Sequence, residues 1–140
     1  MKSKFLFLIA FVSLINFSEA QLIISSDTYS HTIYNESKGE WDILINQKKT
    51  NNVFGIMEDM SSFIHMSEDG TVLIYTITEW DYDEDGVVFT IFMEDDAKKE
   101  YSLVIDGKNE DMMIAWINSD KKQEANYYTI SKIEDTTSSE

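Results

Sequence analysis

The second half of the chain alternates between short apolar segments and acidic turns. The apolar segments have the length of strands and are rich in β-branched and aromatic residues, whereas the turns combine acids with Gly, Asn or Lys. This spacing predicts an antiparallel meander whose consecutive strands are joined by hairpins. The predicted strands are 71–79, 86–93, 99–105, 112–118 and 126–133.

Three further segments upstream bring the expected number of strands to about eight. They alternate between apolar and polar positions and cover residues 29–34, 41–46 and 52–57. Residues 53–66 also fit a short amphipathic helix, because their apolar positions recur at helical spacing. A strand interpretation is favoured there, since Gly55 and the pair Ser61 and Ser62 weaken a helix interior.

Several predicted strands are apolar on both faces. In segment 86–93, Phe89 and Ile91 share one face while Val88 and Phe92 lie on the other, and segment 112–118 repeats the pattern. A sheet with one wet face would alternate more cleanly. The expected fold is therefore an all-β antiparallel meander closed into a barrel, with a β-sandwich as the alternative. The predicted core residues are Trp41, Ile43, Tyr75, Phe89, Leu103 and Trp116.

One short motif carries a resemblance to a known family. Gly39, Glu40 and Trp41 precede the meander and resemble the Gly-X-Trp signature of lipocalin-like (calycin) barrels. The whole pattern is also similar to small exported Bacteroidetes proteins of unknown function. The resemblance implies a lipocalin-like barrel of about eight strands. The chain departs from the lipocalin pattern in having no arginine to pack over the tryptophan.

The N-terminal residues have the features of a secretory signal peptide. Lys2 and Lys4 precede an apolar run over residues 5–15, and Ser18 and Ala20 provide small residues for cleavage before Gln21. The expected organisation is a signal peptide over 1–20, one β domain over 21–133 and a disordered polar tail over 134–140. Because no cysteine follows the cleavage site, we expect a secreted or periplasmic protein without a lipid anchor or a membrane-spanning segment after cleavage.

Charge and composition exclude several functions. The net charge of −15 and the absence of arginine argue against binding to nucleic acid, which needs cations that neutralise phosphates. The absence of cysteine excludes thiol catalysis and zinc–thiolate sites. The composition fits an exported domain that carries no catalytic thiol and binds no nucleic acid.

The clearest chemical motif is an acidic loop over residues 81–86. Asp81, Asp83 and Asp85 alternate before Gly86, as in the first half of a calcium loop, where oxygen ligands surround the ion and the glycine permits a sharp bend. Positions 89 and 92, which would close such a loop, are phenylalanines. The three aspartates are therefore a candidate for a weak calcium site, and an ordinary acidic hairpin is the alternative.

Catalytic patterns are sparse in this sequence. His31 and His65 are far apart and lie outside any known metal or nucleophile motif, so each is expected to be a satisfied or surface side chain. We therefore expect no enzyme and no cofactor beyond weak calcium. The expected function is a binding module that holds a small apolar ligand in the barrel mouth. The alternative is a protein- or glycan-interaction module without a ligand cavity.

Overall fold

A computed structural model describes residues 20–83, 85 and 87–136 and shows an all-β protein. Its eight strands follow one another along the chain, and the described residues form no α-helix. The strands are β1 (Ala20–Asn35), β2 (Glu40–Met57), β3 (Ser62–Met66), β4 (Val72–Tyr82), β5 (Val88–Glu94), β6 (Glu100–Asp106), β7 (Asp111–Ile117) and β8 (Gln123–Asp135).

The strands form an antiparallel meander that closes into a barrel, which confirms the predicted fold class and decides against the sandwich. Closure depends on β1, which pairs with β2 on one side and with β8 on the other. Residues 53–66 belong to β2 and β3, so the helix alternative was wrong. The segments 41–46 and 52–57, predicted as two strands, are parts of the single long strand β2.

Side-chain oxygens stabilise the turns between strands. The first turn residue after β5, Asp95, accepts hydrogen bonds from the backbone N–H groups of Ala97 and Lys99, at 2.9 and 3.0 Å. Asp69 and Asp106 bond in the same way to backbone N–H groups in their own turns. These bonds favour the charged carboxylate and lower the pKa of all three groups. These three aspartates therefore stabilise the turns in which they lie.

The interior of the barrel is filled by apolar side chains from all eight strands. Along β5 and β7 alternate residues point inward, which buries Ile91 and Met93 together with Met112 and Ile114. Phe54 and Phe63 stack at the centre, with ring centroids 5.7 Å apart. The buried cluster comprises Ile24, Phe54, Ile56, Phe63, Tyr75, Ile91, Met93, Leu103, Ile105, Met112, Ile114, Tyr128 and Ile130.

The strand β2 extends well beyond its neighbour β3. Only residues 53–56 of β2 pair with β3, whereas residues 40–52 pair with β1 alone. Two register shifts near His31 insert extra β2 residues into this extension, where Gln47 has a φ of 47°. The backbone N–H of Gln47 donates to Ser30 Oγ at 2.9 Å, so the irregular backbone is fixed to β1.

The extension of β2 explains the errors in the predicted core. Tyr75 and Leu103 are buried as expected, whereas Trp41 and Ile43 are 38% and 60% exposed because β3 does not reach them. Phe89 and Trp116 are partly buried and pack against the edge of the core. Strand alternation was therefore correct, but four of these six residues are less buried than the prediction required.

The ends of the chain bear on the predicted domain limits. Ala20 begins β1, and residues 1–19, which hold most of the predicted signal peptide, lie outside the described residues. Strand β8 continues to Asp135, so it includes the first residues of the predicted polar tail; residues 137–140 are not described. Among the described residues, no helix is long and apolar enough to cross a membrane.

The core assignment predicts different outcomes for two leucines. Leu103 is fully buried, so Leu103→Ala should lower the free energy of unfolding by about 2 to 5 kcal/mol through lost burial and a residual cavity. Leu44 on the β2 extension is 57% exposed, so Leu44→Ala should change it by less than about 0.5 kcal/mol. Urea unfolding of both variants measures the difference, and equal losses would contradict the assigned facing.

Candidate ligand-binding site at the barrel mouth

The two ends of the barrel differ in chemistry. We call the end that carries the β1–β2, β3–β4, β5–β6 and β7–β8 turns the mouth. Side chains that point inward near the mouth are polar or aromatic, and they surround an open pocket of about 460 Å³, here called the mouth pocket. It is lined by Tyr29, Lys48, Thr50, Asn52, His65, Ser67, Glu68, Asp69, Asn126 and Tyr128.

The floor of the mouth pocket contains a buried histidine. His65 lies on β3 with only 8% of its surface exposed, stacked on Phe54 at 4.5 Å and edge-on to Tyr128 at 5.9 Å between ring centroids. Burial among these rings lowers the pKa of His65 to about 4, with a smaller opposing effect from the negative charge of Asp69. His65 is therefore neutral at physiological pH.

The hydrogen bond of His65 determines which nitrogen faces the pocket. Its Nε2 lies 2.8 Å from Asn52 Oδ1, which can only accept, so Nε2 carries the proton and Nδ1 holds a lone pair. Nδ1 makes no hydrogen bond within the described residues. Every fully buried side-chain nitrogen or oxygen of the described residues has a hydrogen-bond partner. Since Nδ1 of His65 has none, it is not fully buried and is open to the pocket that His65 lines.

Two donors accompany this acceptor. The Nδ2 group of buried Asn52 has no hydrogen-bond partner within the described chain and also lines the pocket. Tyr128 Oη accepts a hydrogen bond from Asn126 Nδ2 at 3.3 Å, which leaves the phenolic hydrogen free to donate. Burial raises the pKa of Tyr128, so the phenol keeps its proton at neutral pH.

A second histidine supports the wall of the mouth. The ring nitrogens of His31 lie 2.6 Å from Asn126 Oδ1 and 3.0 Å from Glu124 Oε1. The His31 ring also stacks on Trp116, with centroids 5.8 Å apart. These contacts orient Asn126, which in turn donates to Tyr128. The network thus fixes the position of a pocket donor through three residues of β1 and β8.

The rim of the mouth pocket carries charges of both signs. Lys48 lies on the β2 extension, and Glu68 and Asp69 lie in the turn between β3 and β4. Thr50 donates its hydroxyl hydrogen to Glu68 Oε2 at 3.0 Å, which ties the extension to that turn. One cation and two anions leave a rim with a small net negative charge, which disfavours an anionic ligand.

Sequence reasoning treated His65 as a satisfied side chain and did not include it in a site. The structure shows that only one of its two ring nitrogens is satisfied within the described chain. The sequence signal for this site is the alternation of Phe63 and His65 on one face of a short apolar strand. That alternation places a histidine inside the barrel, but the identity of its partner Asn52 depends on strand register.

The predicted calcium ligands lie at the opposite end of the barrel, on the β4–β5 hairpin. Asp81 is exposed on β4, and its Oδ1 accepts from the N–H of Tyr82 at 2.8 Å. Asp83 Oδ1 accepts from the N–H groups of Val87 and Val88, at 2.8 and 3.2 Å, and so helps close the hairpin. Asp85 is exposed, and Gly86 lies outside the described residues.

These contacts leave the calcium site as a prediction. One carboxylate oxygen of Asp83 already accepts hydrogen bonds from two backbone N–H groups, as in a side-chain-stabilised turn. Within residues 20–83, 85 and 87–136, no three potential ligands from His, Cys, Asp and Glu converge as a metal site would require.

Two exposed aromatic rings, those of Trp80 and Tyr82, lie beside this hairpin and stack with the partly buried ring of Phe89. Trp80, Tyr82 and Phe89 form an aromatic cluster with centroids 5.9 to 6.2 Å apart and ring planes within 15° of parallel. The cluster is accessible because β4 continues past the end of β3, and Trp80 and Tyr82 are 45% and 57% exposed. It presents aromatic surface for contact at the end of the barrel opposite the mouth.

Comparison with known proteins does not identify a family. The chain matches no protein-family model, and no curated protein shows significant similarity to it. The function is therefore inferred from the geometry of the mouth pocket.

The burial of His65 predicts a specific loss of stability in acid. The unfolded chain binds the proton at the ordinary pKa of about 6.5 but the folded protein only near 4, so stability falls as pH drops through this window. Between pH 6.5 and 4.5 the loss from His65 should be about 2 kcal/mol. His65→Gln should remove that part of the pH dependence, measured by urea unfolding at both pH values. An unchanged slope would contradict a buried neutral histidine.

The acidic hairpin can be tested with a substitution that keeps its turn contacts. Asp83→Asn retains the oxygen that accepts from Val87 and Val88 but removes the charge that calcium requires. If a weak site exists, millimolar calcium should raise the melting temperature of the wild type by mass action and not that of the variant. A matched variant at an acid of another turn, Asp120→Asn, should respond as the wild type does. Equal calcium responses in all three proteins would exclude a site centred on Asp83.

Proposed function

We propose that the protein is an exported, non-catalytic binding domain that holds a small, uncharged, hydroxyl-rich ligand in the mouth pocket, such as a mono- or disaccharide. The observation that carries the proposal is the trio of unused hydrogen-bonding groups on Asn52, His65 and Tyr128 around one open pocket. Membership of the lipocalin-like group and the cleaved signal peptide are parts of the same proposal. The closed eight-stranded meander behind Gly39 and Trp41 supports the first part.

A hydroxyl-bearing ligand suits these groups because each hydroxyl can donate and accept. One ligand hydroxyl can donate to His65 Nδ1 while others accept from Asn52 Nδ2 and the Tyr128 phenol. The rings of Tyr29 and Tyr128, whose centroids are 6.0 Å apart, offer an apolar surface for the carbon atoms of the ligand. A volume of about 460 Å³ is within the range of small-molecule sites.

The interior favours a ligand at the mouth over an apolar ligand inside the barrel. The space below the mouth pocket is taken by core side chains, with Phe54 and Phe63 fully buried at its centre. A small apolar ligand in the barrel mouth, expected from the sequence, would leave the free polar atoms of Asn52, His65 and Tyr128 without hydrogen-bond partners. A polar ligand at the mouth requires no rearrangement of the core, and the low pKa of His65 makes it a poor general base at neutral pH.

The aromatic cluster supports a second candidate function, an interaction module for a protein or glycan partner. Exposed aromatic side chains are enriched in contact surfaces, and the exposed rings of Trp80 and Tyr82 lie nearly parallel to each other and to the partly buried ring of Phe89. This surface lies at the other end of the barrel from the mouth pocket. Substitution of Trp80 therefore separates the two functions.

The proposed function is tested by titrating the labelled protein with neutral sugars and recording amide chemical shifts. Glucose, galactose, maltose and lactose serve as probes, with glucuronate and glucosamine as charged comparisons. We expect saturable shifts at Asn52 and His65 with at least one neutral sugar. Tyr128→Phe removes one donor and should weaken that binding by about two- to tenfold.

The neighbouring Tyr127 provides a matched control. It points outward and is exposed, so Tyr127→Phe should leave the affinity unchanged. Trp80→Ala should also leave sugar binding at the mouth intact. Absence of shifts at the pocket with every neutral sugar, or equal losses in the Tyr127 and Tyr128 variants, would contradict the proposal.

A further inference from the structure

A second open pocket lies on the outer wall of the barrel. Phe92, Ser102 and Ala115 are cross-strand partners on β5, β6 and β7, so they form a row on the outer face near the mouth. Ser102 and Ala115 are small and lie between the larger Phe92 and Ile117, which leaves a groove of about 580 Å³. We call this pocket the side groove; it shares no lining residue with the mouth pocket.

The walls of the side groove are apolar and exposed. Phe92 and Ile117 line it and are 44% and 60% exposed, although apolar side chains of this size usually turn inward. They are the outward members of strands whose inward residues form the core. The side groove thus accounts for the outward apolar residues Phe92 of β5 and Ala115 and Ile117 of β7.

One cation is fixed at the end of the side groove. The ammonium of Lys99 lies 5.4 Å from the ring centroid of Tyr101 and 5.6 Å from that of Trp116, within range of cation–π attraction to both. Lys99 forms no ion pair with a carboxylate among the described residues, whereas the adjacent Lys98 is bonded to Glu94 at 2.9 Å. Lys99 is therefore the lysine of this groove without a direct ion pair in the described chain; its charge acts on the carboxylate of Asp95, whose pKa is lowered first by the backbone N–H of Lys99 and in smaller part by its ammonium.

We propose that the side groove binds a small amphiphilic carboxylate, whose apolar body lies along Phe92, Ala115 and Ile117 and whose carboxylate contacts the Lys99 ammonium. The charge complementarity between one unpaired ammonium and one carboxylate selects this class over a neutral apolar molecule. Glu100 lines the groove and the Asp95 carboxylate lies near Lys99; both oppose an anion, so the affinity should be low. The proposal is independent of the function of the mouth pocket, because the two pockets share no residue.

Octanoate and octan-1-ol are suitable probes because they share the same chain and differ in charge. Titration of the labelled full domain should give saturable amide shifts at Ser102 and Ala115 with octanoate and weaker binding of octanol. Lys99→Met keeps an apolar side chain but removes the charge, so it should weaken octanoate binding about two- to fivefold and leave octanol unaffected. Glu100→Gln should strengthen octanoate binding by a similar factor, since it removes the opposing charge.

Blocking variants and a matched lysine control complete the test. Ala115→Trp fills the groove and should abolish the amide shifts caused by octanoate and by octanol. Ile117 is exposed, so Ile117→Glu should not affect folding, and it should abolish octanoate binding. Lys108→Met, in the β6–β7 turn at the other end of the barrel, should change nothing. Equal binding of octanol and octanoate, retention of binding in both blocking variants, or shifts at the mouth pocket instead would overturn the proposal. So would groove shifts that grow with protein concentration alone, because a second copy would then occupy the groove.

Discussion

Closure of the barrel through β1 is the constraint on which the rest of the structure depends. β1 must satisfy backbone hydrogen bonds along both of its edges, to β2 and to β8, and it does so over nearly its whole length. The next pair of strands differs strongly in length: β2 has eighteen residues and its neighbour β3 only five. The open mouth and the exposed β4–β5 hairpin both follow from this mismatch in length.

The barrel separates stability from recognition along its axis. Away from the mouth, the buried inward positions are mostly aliphatic residues, methionine and phenylalanine, which pack closely and need few hydrogen bonds. Towards the mouth, inward positions become tyrosine, histidine and asparagine, whose polar atoms are paired only in part. The aromatic rings of Phe54 and Tyr128 connect the two zones, because they pack on the core and also hold His65. A change of ligand at the mouth need not alter the packing that keeps the barrel folded.

Sequence pattern predicted the fold class but did not point to the residues of the mouth pocket, for identifiable physical reasons. Alternation in 86–93 and 112–118 shows which residues share a face, and the structure confirms this for Ile91 and Ile114. Whether Trp41 and Ile43 are buried depends on the length of β3, which pairs only with residues 53–56 of β2. The sequence around the two residues does not indicate that length. His65 and Lys99 acquired their environments from partners on other strands or across a turn. For the predicted calcium loop over residues 81–86, the structure adds that Asp83 Oδ1 accepts hydrogen bonds from backbone N–H groups of its own hairpin, and calcium binding there stays a prediction.

The irregular backbone of β2 also bears on how copies of the protein behave toward one another. A long strand with one unpaired edge is a template on which another chain can add its own strand, and repetition of that step produces fibrous aggregates. The extra residues that β2 inserts opposite β1, together with the left-handed conformation of Gln47, break the regular spacing of N–H and C=O groups along that edge. Lys48 and Lys49 add charge beside the break. These features work against sheet growth between molecules, even though the barrel keeps one long strand edge unpaired at its mouth.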